Sequence, residues 1–118
     1  MDVENPPDMP AMQSLDPADW SDLRALGHRM IDDMFDHYAT LRDGPVWQKM
    51  PLALRQELRQ PLPRGPSPAE AVYDDFQRLI RPYATGNLHP RFMGWVHGGG
   101  NPIGMLAELL AGGLVVRG

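Results

Sequence analysis

Three groups of residues in this chain of 118 have types and spacings that can do chemistry. His28, Asp32 and Asp36 stand at successive i, i+4 steps, and Asp33 and His37 form a second such pair. On a helix each row shares one face, and imidazole with carboxylates is the donor set of a hard or mixed metal site. Gly98-Gly99-Gly100-Asn101-Pro102 is a glycine loop feeding a helix start, where free N–H groups can receive an anion. Its spacing fits neither a P-loop nor a dinucleotide fingerprint. In His89-Pro90-Arg91, the arginine fork suits a carboxylate. Each group also has a plainer reading. The His28 row lies opposite the apolar stripe of its helix and reads as a solvated acidic face. The glycines read as a flexible turn. Arg91 equally suits a loop carbonyl. The chain has no cysteine, which excludes disulfides and thiolate metal sites, and a single lysine, Lys49.

The elements that position these residues are mainly helices. Asp16-Pro17-Ala18-Asp19 is a helix start, with Asp16 as cap and Pro17 at the first helical position. Apolar residues then fall at Trp20, Leu23, Met30, Ile31, Met34, Tyr38 and Leu41, one amphipathic stripe, with Gly27 in it permitting close backbone approach. Asp43-Gly44-Pro45 predicts the end near Arg42. A short connector around Trp47 leads to a second helix from about Leu52 to Gln60, Leu54 and Leu58 inward. Pro61 to Pro66 is a stiff linker. Ser67-Pro68-Ala69-Glu70 reads as a capping box opening a third helix with Val72, Phe76, Leu79 and Ile80 inward, closed by Pro82. Phe92 to Val96 reads as a short strand or extended segment. Asn101-Pro102 caps a fourth helix bearing Met105, Leu106, Leu109 and Leu110, which loses its pattern at Gly112-Gly113.

The bulk numbers fit one small domain. The net charge is −4 with scattered arginines, unlike a nucleic-acid binder. No apolar run is long enough to cross a bilayer. The acidic, proline-rich first residues are neither signal nor transit peptide, so a cytoplasmic location is expected. Prolines and glycines, 13 and 12, make about a fifth of the chain and cluster between the periodic segments.

Taken in order, several segments resemble the group II pyridoxal-phosphate-dependent decarboxylases, the relatives of aromatic-L-amino-acid decarboxylase. They are Leu23-Arg24-Ala25-Leu26-Gly27-His28-Arg29-Met30-Ile31-Asp32, Pro45-Val46-Trp47, Pro61-Leu62-Pro63 and Ile80-Arg81-Pro82-Tyr83-Ala84-Thr85. The tightest is His89-Pro90-Arg91-Phe92-Met93-Gly94-Trp95, continuing to Met105-Leu106-Ala107-Glu108-Leu109-Leu110. The similarity runs from about Asp16 to Leu114.

The periodic runs give a mostly α chain: three helices, a glycine-rich loop and the start of a fourth helix, after a flexible tail over 1–14 that has no apolar period. The resemblance implies a parent α/β enzyme of the fold type I pyridoxal-phosphate transferase kind, with a helical dimerisation layer over 15–82 and the beginning of a large cofactor domain over 83–118. Pyridoxal 5'-phosphate would be the cofactor, an amino acid the substrate and a homodimer the assembly. Trp95, His97 and Gly98 match a stretch that lines the substrate pocket in the family. The relatives carry proline and threonine where His97 and Gly98 stand, which bears on substrate choice. Lys49 matches no position of the family's Schiff-base lysine, so these residues alone are expected to be an inactive N-terminal fragment of a carboxy-lyase. Two other readings stand beside this one. One is a standalone helical interaction module pairing through the Trp20–Leu41 stripe. The other is a small anion-binding domain using the loop before Asn101.

Overall fold

The computed structural model describes residues 14–95 and 98–115. They form four α-helices and no strand: α1 Trp20–Thr40, α2 Leu52–Glu57, α3 Ala69–Leu79 and α4 Pro102–Val115, with 3-10 turns at Leu41–Asp43 and Arg81–Tyr83. The mostly helical class expected from the periodicity is what the described residues adopt. The expected tail over 1–14 falls, apart from Ser14, outside them.

The first cap differs from the sequence reading. Asp19, not Asp16, sits at the N-cap of α1, its Oδ1 accepting from Ser21 N at 2.8 Å and from Ser21 Oγ at 2.6 Å. These bonds hold the Asp19 carboxyl below its usual range. The Asp16 N–H is instead turned to Ser14 Oγ, 3.0 Å away. At the far end α1 tightens into the 3-10 turn, and Gly44 N closes it on Leu41 O at 3.3 Å, as Asp43-Gly44-Pro45 predicts.

Helix α3 lies beside α1 through long side chains. Arg29 bonds Glu70 at 2.8 Å and Asp74 at 3.1 Å. Its guanidinium carbon stands 5.1 Å from the Tyr73 ring centroid, within reach of a cation–π contact. One turn on, Asp33 Oδ2 accepts from Tyr73 Oη at 2.5 Å and from Gln77 Nε2 at 3.2 Å. Another turn on, His37 feels the charge of Arg81. The pairing advances the same way along both helices, so they run parallel. Parallel neighbours need a long return, and residues 58–68 supply it. About ten extended residues can cover roughly 33 Å, ample for an 11-residue helix. Arg78 bonding Glu57 at 2.7 Å ties α2 to the late part of α3.

This seam corrects several faces. In α1 the buried residue is Leu26, in line with Arg29 and Asp33; of the expected stripe, Trp20 and Leu23 are exposed while Met30, Ile31, Met34, Tyr38 and Leu41 are half-buried. No atom comes within 4 Å of a Cβ placed at Gly27, so the close approach anticipated there is absent among the described residues. In α3 Tyr73 and Leu79 are buried, whereas Val72 and Ile80 are 57% and 52% exposed. The capping box does not form: Pro68 stands at the N-cap without a side-chain bond, and Glu70 is engaged by Arg29 instead. Helix α2 stops at Glu57, and Leu58 is exposed.

Asn101 does cap α4, its Oδ1 accepting from Gly104 N at 2.8 Å. The helix then runs through Gly112-Gly113 to Val115, past the point where its apolar pattern is lost. Ile103, Leu109, Leu110, Leu114 and Val115 on it are all exposed. The buried apolar residues among those described are only Leu26, Tyr73 and Leu79. Large apolar side chains left in water across several helices are the mark of a surface made to be covered.

Candidate substrate-pocket wall

Two irregular segments build a cavity wall among the described residues. The connector 44–48 and the loop 82–91 lie against each other, joined at three points. His89 Nδ1 accepts from Arg91 N at 3.1 Å, so the proton of the ring sits on Nε2, which donates to Gly44 O at 3.0 Å. Gly86, at φ 75°, passes so close to Val46 that a Cβ would overlap its carbonyl oxygen. Gln48 Nε2 donates to Pro82 O at 3.0 Å. The pairs 44 with 89, 46 with 86 and 48 with 82 run in opposite directions, so the two segments are antiparallel though neither is a strand. His89 is 3% exposed, and its two bonds satisfy both ring nitrogens.

The stitching brings Trp47 beside the turn at Phe92. Phe92 N bonds back to His89 O at 3.0 Å, and the ring meets Trp95 edge-on with centroids 5.1 Å apart. The strand considered for Phe92–Val96 is therefore not formed over its described part. A Cβ at Gly94 would come within 2.8 Å of the Phe92 ring and would push that ring aside. Together Val46, Trp47, Thr85, Phe92, Met93, Gly94 and Trp95 line an open, largely apolar cavity of about 350 Å³. Apolar walls with a T-shaped aromatic pair suit a flat ring.

Of the three residues singled out in the sequence, Trp95 lies in this wall. Gly98 is exposed and outside it, and His97 lies outside the described residues. Trp47 and Val46 were missed as wall residues. Their signal was the Pro45-Val46-Trp47 connector itself, a bulky aromatic held between prolines, but the partner that places it is some forty positions away.

The other candidates separate in the same way. His28, Asp32 and Asp36 are exposed, while Asp33 and His37 are half-buried and turned to different partners. No group of three metal-capable side chains occurs among the described residues. Burial, then the Arg81 charge, lowers the His37 pKa from its ordinary 6.5. Arg91 is exposed, and it is its backbone, not its fork, that is engaged in the loop. Pyridoxal phosphate needs a lysine for the covalent link, an acid for the ring nitrogen and a group to stack on the ring. Lys49 is exposed, in a shallow surface hollow with Met50, Pro51, Leu52 and Arg55. That hollow offers neither the acid nor a stacking ring, so the surroundings of Lys49 do not fit the cofactor. No described helix is long and apolar enough to cross a membrane.

No family model matches the chain, and no solved structure does. Curated sequences do. The chain is homologous to the N-terminal parts of plant aromatic amino-acid decarboxylases. Tryptophan decarboxylase 2 of Oryza sativa subsp. japonica is 33% identical over 98 residues, 82% of this chain and 20% of that protein. Phenylacetaldehyde synthase of Arabidopsis thaliana is 34% identical over 105 residues, 88% of this chain and 21% of that protein. Tyrosine decarboxylase of Oryza sativa subsp. japonica is 35% identical over 101 residues, 83% and 19%. The chain thus spans about a fifth of the length of the curated relatives it matches.

Proposed function

We propose that these residues are the N-terminal helical region of a pyridoxal-phosphate-dependent carboxy-lyase acting on aromatic amino acids, a member of the group II decarboxylases. The observation that carries this reading is the similarity to tryptophan and tyrosine decarboxylases over more than four-fifths of the chain. The uncovered apolar faces of α1 and α4 support it, since such faces require a larger body to bury them. In this reading residues 15–82 are the layer through which two subunits associate, and 83–118 begin the cofactor domain. Trp95, with His97 and Gly98, lies along the substrate, and Trp47 extends the apolar wall for its ring. The cofactor, held by segments other than these, stabilises the carbanion left when carbon dioxide departs. The residues described here bind and orient, and without a Schiff-base lysine they release no carbon dioxide by themselves. In this reading the enzyme is cytoplasmic.

The test has two arms. The chain is mixed with pyridoxal phosphate, and no absorbance beyond free aldehyde or a nonspecific Lys49 adduct is expected. The longest reading frame containing the chain is then expressed and assayed for carbon dioxide release from L-tryptophan, L-tyrosine and L-phenylalanine. Release with none of them, from a protein that holds the cofactor, would overturn the aromatic substrate class. A reading frame with no lysine beyond Lys49 would overturn the enzyme reading and favour the second one, a helical module pairing through the Trp20–Leu41 stripe of α1, whose Trp20 and Leu23 are exposed.

A further inference from the structure

A second cavity, of about 270 Å³, opens on the other side of the 44–48 connector, between it, the end of α1 and the 3-10 turn at Arg81. It shares Val46 and Trp47 with the Trp95 cavity but has a different chemistry. No aspartate or glutamate lines it, although the chain as a whole is acidic. Its titratable wall residues are His37 and Arg81. Asp33, one helical turn before His37, is already engaged by Tyr73 and Gln77.

Arg81 is half-buried, and its Nε donates to Gln77 Oε1 at 2.8 Å. That bond fixes the guanidinium plane, and the two terminal nitrogens have no acceptor among the described residues. Asn87, also in the wall, accepts from Thr85 Oγ1 at 2.9 Å through its Oδ1, and its amide nitrogen is likewise without an acceptor among the described residues. A half-buried guanidinium with its fork unused is set to receive an oxyanion in two-point fashion. Leu41, Trp47 and Leu88 supply the apolar remainder. The volume is at the small end for ligand cavities, enough for one ring and a short acid arm.

We propose that this cavity binds a small single-ring carboxylate, its acid group on the Arg81 fork and the Asn87 amide and its ring against Trp47. The inference does not depend on the decarboxylase reading, because it uses only groups in this wall.

The experiment titrates the purified chain with 3-phenylpropionate near pH 7, followed by calorimetry and tryptophan fluorescence. 3-Phenylpropanamide, the neutral analogue, and inorganic phosphate serve as the other probes. The acid is expected to saturate and to bind at least about tenfold tighter than the amide. Arg81→Met is expected to weaken the acid by about tenfold or more and to leave the amide unaffected, with Arg81→Lys between the two. Trp47→Leu alters a side chain 58% exposed, so helical circular dichroism is expected to stay unchanged while affinity for the acid falls. Equal binding of acid and amide, phosphate binding as tightly as the acid, unchanged affinity in Arg81→Met or Trp47→Leu, or no saturable binding each overturns the proposal.

Discussion

Tyr73 Oη donates to Asp33 Oδ2 at 2.5 Å, and this one bond ties the middle of α1 to the middle of α3. It carries more weight than the ion pairs around it. Arg29 with Glu70 and Asp74 is solvent-exposed, and such pairs contribute little. Tyr73 is buried, Asp33 is half-buried, and a hydrogen bond to a charged group in that setting is among the stronger ones.

Tyr73→Phe is therefore expected to cost about 1.5–3 kcal/mol, read as a loss of helical signal at lower denaturant. The alkaline limb gives an independent readout. Burial, with the bond to Asp33, pushes the Tyr73 phenol from 10.0 up to about 12. Between those values the unfolded chain has released a proton that the folded chain keeps. Stability is complete below pH 10 and falls as pH rises toward 12. Ultraviolet titration of tyrosinate is expected to show a late step near pH 12 that is absent in Tyr73→Phe. An alkaline end of the titration left unchanged by Tyr73→Phe would contradict the buried bond.

The sequence made α1, α3 and α4 visible as periodic runs bounded by Asp43-Gly44-Pro45, by Pro82 and by Asn101-Pro102. It did not show which way each helix faces. Hydrophobic periodicity assigns the inside to apolar residues, but α1 meets α3 through Arg29, Asp33 and Tyr73, polar groups whose partners lie 40 to 45 positions away. That is why Val72 and Ile80 are exposed against expectation. The same distance hid the role of His89, which stands beside Arg91 in sequence with no role of its own and is a strut under Gly44. Trp95 drew notice through family resemblance. Trp47, which faces the same cavity, needed the fold.

His37 gives an acid-side counterpart to Tyr73. Burial and then the Arg81 charge lower its pKa below 6.5. As pH falls past 6.5 the unfolded chain takes up a proton before the folded chain does, so the melting temperature falls with it. Above 6.5 the contribution is fully present. His37→Gln is expected to flatten the slope between that pH and the lowered pKa while leaving stability at pH 8 nearly unchanged. A slope that survives the substitution would assign it to other groups.

Among the described glycines Gly86 is the one least open to substitution. Its φ of 75° is the left-handed region, costing a residue with a Cβ about 1–2 kcal/mol. In addition the new Cβ would overlap the Val46 carbonyl oxygen. Gly86→Ala is expected to release the loop from the connector, so the His89 amide, which bonds Gly86 O at 2.9 Å, loses its protection from hydrogen exchange. Retained protection would mean that the connector can move aside freely.

The last expectation concerns the strut. His89→Ala removes the donor to Gly44 O and the acceptor for Arg91 N together, and leaves two backbone groups short of partners around a residue that was 3% exposed. Each such group costs about 1–3 kcal/mol, so the loss is expected to exceed that of Tyr73→Phe locally. Its effect should also travel. With the antiparallel pairing of 44–48 and 82–91 loosened, Trp47 leaves Phe92 and Trp95, and the apolar cavity opens to water. The measurement is tryptophan emission in His89→Ala, with Trp20→Phe added to remove the distant indole. A red shift together with greater quenching by acrylamide is expected. His89→Asn, which can still donate to one carbonyl, is expected to fall between. Emission that stays at the parent wavelength in both variants would show that the aromatic wall holds itself together without His89.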